Sequence, residues 1–182
     1  MHRRFRMPGV TGLAGGEAAI TPEELTFWRL LQRVQVRITR VLEADLLMEH
    51  DLTLPAYEVL AQLIEAPGRR LRMNDLADRV LLSRSGLTRL IDRLQAEGLV
   101  DREACPSDAR GLYAVLTDAG AARFAAAEPT YLRAIRDRFL DLLDAAELRQ
   151  CSAMLTKVFA QTVACPAPGA ATRRPEPTEV AR

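Results

Sequence analysis

Arg110 is the side chain in this sequence best placed to do chemistry on a partner. It stands in the run Cys105-Pro-Ser-Asp-Ala-Arg-Gly111, beside a glycine able to take turn geometry. A guanidinium on a protruding loop can enter a narrow DNA minor groove, where the potential is most negative. Asp108, two residues earlier, can steady that guanidinium or a neighbour such as Arg102 through paired hydrogen bonds. A second group lies upstream, in the run Ser83–Glu97. Leu87, Leu90, Ile91 and Leu94 share one helical face; Ser85, Thr88, Arg89, Asp92 and Arg93 share the other, with Ser83 and Arg84 at its start. Short hydroxyls at a helix N-terminus let backbone N–H groups approach phosphate, and arginine can bridge guanine O6 and N7. Any surface helix shows a polar face, so the helix alone says little. Its weight comes from the arginine loop that follows it.

These residues need elements to hold them. Two β-type runs, Leu99–Ala104 and Leu112–Leu116, flank the seven-residue loop. Thr53 caps a helix that carries Tyr57, Leu60, Leu63 and Ile64 inward and stops at Pro67-Gly68. Arg69–Arg72 reads as an extended link, and Asn74 as the cap of a two-turn helix burying Leu76, Ala77 and Val80. Ser83 caps the next helix and Gly98 ends it. Two short helices followed by a hairpin make a winged helix-turn-helix.

Helices bracket this module. Thr21-Pro22-Glu23-Glu24 is a strong start signal, and the helix runs to about Glu49 with Leu25, Trp28, Leu31, Val34, Ile38, Val41 and Leu42 on one stripe. Its length, roughly 40 Å at 1.5 Å per residue, exceeds what one small domain needs. Thr117-Asp118 starts another helix, which Pro129 should kink or restart near Thr130. Asp144 and Glu147 form a capping box for the last helix, expected to bury Leu148, Cys151, Leu155, Val158 and Phe159. The expected organisation is a flexible arm (1–20), dimerisation helices (21–50 and 118–163), a winged helix-turn-helix domain (51–117) and a disordered tail (164–182).

Composition narrows the function. The net charge is only +1, and residues 68–112 hold nine Arg against seven Asp and Glu. DNA binding must therefore rest on where the arginines point. All basic residues but Lys157 are Arg, a bias of the whole chain. Three widely spaced cysteines (Cys105, Cys151, Cys165) without a CxxC suit free thiols and a cytoplasmic location. No apolar run is long enough for a membrane span. His2 and His50 lie far apart, no cluster has metal-ligand spacing, and no nucleotide, hydrolase or metalloprotease signature occurs. Enzyme activity, metal and cofactor are not expected. Trp28, Arg29 and Tyr57 could suit an aromatic carboxylate, although aromatics at helical spacing are more often packing.

Asp108-x-Arg110, five residues, then Leu116-Thr117-x-x-Gly120, behind LLSRSGLTRLIDRLQAEGLV, resembles the MarR family (multiple-antibiotic-resistance regulators) over about residues 22–163. The resemblance implies a homodimeric, mostly helical regulator that binds a palindromic duplex through two winged modules. It makes Arg110 the minor-groove arginine and gives base and phosphate contacts to Ser83–Arg93. It also implies a small aromatic or anionic effector between the dimerisation helices and the DNA-binding lobe. Some relatives sense oxidants through an N-terminal cysteine; this chain has none before Cys105. A protein-interaction module is the other reading open to a winged helix.

Overall fold

The computed structural model describes residues 20–105 and 108–163, with the side chains of Cys105, Asp108, Ala109, Arg110 and Val163 outside the description. The expected tail and all but the last residue of the expected arm lie outside the described residues. The chain divides at Arg37 into two units, and helix α1 (Pro22–His50) contributes to both. In the first unit, Thr21 and Glu24 form a capping box. The Thr21 N–H donates to Glu24 Oε2 (2.7 Å) and the Glu24 N–H to Thr21 Oγ1 (3.2 Å). The hydrogen bond from the Thr21 backbone holds the Glu24 carboxyl below its usual range. Of the expected stripe, Trp28, Leu31 and Val34 are exposed in the single chain, whereas Leu42 is buried.

The second unit builds its core around α2 (Leu54–Glu65). Thr53 is its cap, accepting from the Ala56 N–H at 3.3 Å, and the Glu43 carboxylate accepts from the Leu54 N–H. Leu46, Leu52, Leu60, Leu63, Leu76 and Leu94 are fully buried, each contributing about 1.5–3 kcal/mol on leaving water. Helix α3 (Met73–Arg79) packs with α4 (Arg84–Ala96), whose Leu87, Leu90, Ile91 and Leu94 point inward as their spacing requires.

Strands β1 (Arg70–Arg72), β2 (Val100–Cys105) and β3 (Asp108–Leu116) form one antiparallel sheet in the order β1-β3-β2. The expected link at Arg69–Arg72 is thus a third strand, with Leu71 opposite Ala114. Three residues are too few to show a strand period; β3 supplies the pairing. Asn74 does not cap α3: Arg72 does, in extended geometry and with no side-chain cap bond, because strand pairing fixes where the helix can begin. The expected seven-residue loop is also shorter, since β3 already begins at Asp108.

Helix α5 (Asp118–Arg138) runs unbroken through Pro129. Ala127, Thr130 and Ala134 are buried on either side of the proline, and this packing outweighs the one lost backbone hydrogen bond and the ring's steric strain. After a 3₁₀ turn (Leu140–Leu142), α6 (Ala145–Val163) opens with the expected box. Asp144 Oδ1 accepts from the Glu147 N–H (2.9 Å) and Glu147 Oε2 from the Asp144 N–H (2.8 Å). Its apolar residues are not buried as expected: Leu148, Leu155, Val158 and Phe159 are exposed in the single chain. A 3.6-residue period gives a face, not what lies against it.

The end of α1 is pinned to α5 through polar groups. The buried Thr130 hydroxyl donates to Glu49 Oε2 at 2.7 Å, and Arg133 Nη2 donates to Glu49 Oε1 at 2.7 Å. His50 Nε2 lies 2.9 Å from the same hydroxyl; with the Thr130 proton committed to Glu49, this nitrogen must be the donor. The hydrogen bond from Thr130, then that from Arg133, holds the Glu49 carboxyl below its ordinary range. A lowered folded-state pKa stabilises above the unfolded value and ceases to do so as pH falls through it. Glu49→Gln should therefore melt below the parent at pH 7, with the gap closing below about pH 4. Melting curves at both pH values check this; a gap independent of pH would refute it.

Candidate nucleic-acid interface

The exposed face of α4 begins at its cap. Ser83 Oγ accepts from the Gly86 N–H at 3.1 Å and lies 3.4 Å from Ser85 Oγ. The Thr88 hydroxyl donates to the Arg84 carbonyl at 2.8 Å. Arg84 and Arg89 are exposed and have no ion pair among the described residues. Arg93 is different: its guanidinium donates to the α2 cap, Thr53 Oγ1, at 3.1 Å and sits 4.0 Å from Glu97. Of the seven polar residues singled out on this helix, six divide into a cap (Ser83), hydroxyls (Ser85, Thr88), two open guanidiniums (Arg84, Arg89) and one tethered guanidinium (Arg93).

Asp92 reaches across to the sheet. Its Oδ1 pairs with Arg102 Nη1 of β2 at 2.6 Å, and Arg102 Nη2 donates to the Thr88 carbonyl at 3.2 Å. The Arg102 Nε is buried without a partner among the described residues. One arginine thus bolts the β2–β3 ribbon to α4. Sequence reading offered Asp108 as a partner for Arg102; the contacts to Asp92 and Thr88 were not foreseen, because they join residues from two elements.

At the ribbon's far end the register is irregular. Ala104 faces Leu112, but the next residue, Cys105, faces Asp108. β3 therefore spends Ala109, Arg110 and Gly111 where β2 spends none, a bulge that carries Arg110 out of the ladder. The side chains of Asp108 and Arg110 lie outside the described residues. Between the ribbon, α3 and α4 runs a groove of about 440 Å³ lined by Arg72, Asn74, Thr88, Arg102 and Leu112 among others. Arg70 and Arg72 lie over the Tyr113 ring, 5.3 and 5.9 Å from its centre. Sequence reading passed over both, though the run Arg69-Arg70-Leu71-Arg72 was the available signal.

The effector candidates fall in different units. Trp28 and Arg29 belong to the first unit, Trp28 half exposed. Tyr57 is a buried residue of the second, stacked on Tyr131 and Phe124 at 4.3 and 5.3 Å between ring centres.

Residues 50–111, the stretch holding the helix pair and most of the ribbon, match the MarR family model. AbsC of Streptomyces coelicolor, a MarR family transcriptional regulator, has 35% identity and a TM-score of 0.76 over 82% of this chain and 100% of its own. The chain belongs to the MarR family. Sco3205 of the same organism, a MarR family transcriptional regulator solved in complex with DNA, has 31% identity and a TM-score of 0.76, covering 85% of this chain and 96% of its own. Among curated proteins, the HTH-type transcriptional regulator MhqR of Bacillus subtilis (strain 168) is 27% identical over 110 residues, 60% of this chain and 74% of its own. This MarR chain is accordingly a DNA-binding transcriptional regulator and not an enzyme. No described helix is long and apolar enough to cross a membrane.

Proposed function

We propose that the protein is a cytoplasmic, homodimeric repressor of the MarR type that holds a palindromic operator. The observation that carries this is the exposed face of α4, where Arg84 and Arg89 have no ion pair among the described residues, beside a ribbon fastened to the same helix by Arg102 and Asp92. Two α4 helices set one duplex turn apart, roughly 34 Å, enter successive major grooves. Ser83, Ser85 and Thr88 meet phosphates near the α4 N-terminus, while Arg84 and Arg89 reach phosphates and guanine edges. Arg93 supports the α2 end, and each Arg110, steadied by Asp108, enters a minor groove. The exposed Leu148, Leu155, Val158 and Phe159 of α6 support a second copy as the cover for that face. A small aromatic ligand that prefers a dimer with another lobe spacing lowers DNA affinity by its differential binding.

Fluorescence anisotropy with duplex from the gene's own upstream region, at two salt concentrations, tests the reading. Tight, salt-sensitive binding is expected, and Arg110→Ala should weaken it by at least about 1 kcal/mol, the scale of one groove contact, with the dimer intact by sedimentation. No binding at low salt would favour a protein-interaction module instead. Unaltered affinity of Arg110→Ala would remove the minor-groove role.

A further inference from the structure

Within the second unit, α2, the end of α3 and α5 line a cavity of about 450 Å³ that opens to solvent on one side, a size that suits a small ligand. One wall is aromatic: Tyr57, Phe124 and Tyr131 all line it, and Tyr57 stacks between the other two. Its acidic lining residues are Glu58, Glu65 and Glu128. Burial raises the Tyr57 phenol well above its usual range, and the neighbouring Tyr131, Glu128 and Glu65 push it the same way. Burial and Glu58 raise Tyr131 likewise, and burial followed by Glu43 raises Glu58.

We propose that this cavity binds a small organic cation with a flat apolar body, its ring against the aromatic wall and its charge toward Glu65 and Glu128. The sign of the charge follows from the lining, in which the exposed Glu65 and Glu128 outnumber the one guanidinium, Arg79. Arg79 is itself exposed and leans toward Gln62 Oε1 at 3.4 Å. An anion would meet like charge at short range, whereas aromatic faces and carboxylates both attract a cation. This is the opposite preference to the aromatic carboxylate expected for Trp28, Arg29 and Tyr57, the last of which lines this cavity.

The same cavity touches Leu81, in the turn between α3 and α4. Leu81 is 87% exposed and holds a left-handed backbone (φ 53°), which costs a leucine of order 1 kcal/mol or more. It stands two residues before the α4 cap. A bound ligand therefore contacts the segment that aims α4, which deepens the effector part of the proposed function; only this consequence rests on that reading.

Calorimetric titration of the full-length protein with 1-methylquinolinium and with 2-naphthoate, similar bicyclic bodies of opposite charge, decides the matter. The cation should bind, and the anion about tenfold more weakly or not at all. Glu65→Gln and Glu128→Gln, both exposed, should each weaken the cation about threefold with melting temperature unchanged. An anion that binds as tightly, a cation that gives no binding heat, or variants that titrate like the parent would each overturn the proposal. A protein that takes the cation yet binds no duplex sinks the DNA reading and leaves this one standing, so the two failures separate.

Discussion

Gly120→Ala should destabilise the protein by at least about 3 kcal/mol, the sum of overpacking and a lost helix cap. A Cβ at this position would sit 2.1 Å from the Leu99 carbonyl oxygen, 2.7 Å from Leu116 Cδ1 and 3.0 Å from the Leu99 carbonyl carbon. Two of these atoms are backbone, so no rotamer change relieves the clash. The approach is close because Thr117 draws two segments together. Its hydroxyl donates to the Gly98 and Leu99 carbonyls (2.8 and 3.1 Å) and accepts from the Gly120 N–H (2.9 Å), while its own N–H donates to Leu99 at 3.2 Å. The Thr117-x-x-Gly120 pattern is therefore the joint that fixes α5 against the base of β2. Urea denaturation followed by circular dichroism reads the loss, as does a fall of about 6–12 °C in melting temperature. A change under 1 kcal/mol would mean that α5 does not pack this tightly.

Asp92→Ala should weaken duplex binding at least about threefold and cost about 1–2 kcal/mol of stability, the consequence of stranding a half-buried charge. Without Asp92, the Arg102 guanidinium keeps only the Thr88 carbonyl as a described partner, and the ribbon loses its anchor on α4. The sign of the DNA effect is diagnostic. Were Asp92 merely a carboxylate on the duplex side of α4, removing it would reduce repulsion from phosphate and tighten binding. A bolt between helix and ribbon requires the reverse. Anisotropy of Asp92→Ala, Arg102→Met and the double variant closes the cycle: losses well short of additive show one shared interaction, and additive losses would dissolve it.

Legibility differed by range. The helix starts at Thr21, Thr53, Ser83, Thr117 and Asp144 were plain in the sequence, because a cap is made by residues three positions apart. So was the buried face of α4, since its period is a property of the helix alone. Strand β1 was not, because three residues carry no period and their pairing partner lies some forty residues on. Asn74 had the right type for a cap, yet the sheet register placed the helix start at Arg72. Pro129 carried a true local penalty that packing around Ala127 and Thr130 overrode.

The candidate site divides the same way. Residue types and spacing alone singled out the polar edge of α4 and the Asp108-x-Arg110 loop. Only the fold decided that Arg93 serves the α2 cap, that Arg102 ties ribbon to helix, and that Arg110 falls within a bulge of β3. It also brought Tyr57, Tyr131 and three carboxylates around one cavity from two helices far apart in the chain. Caps and faces are set by neighbours within a turn, so the sequence contains them whole. Ion pairs, registers and cavities depend on which distant segments meet, and that is settled when the core closes.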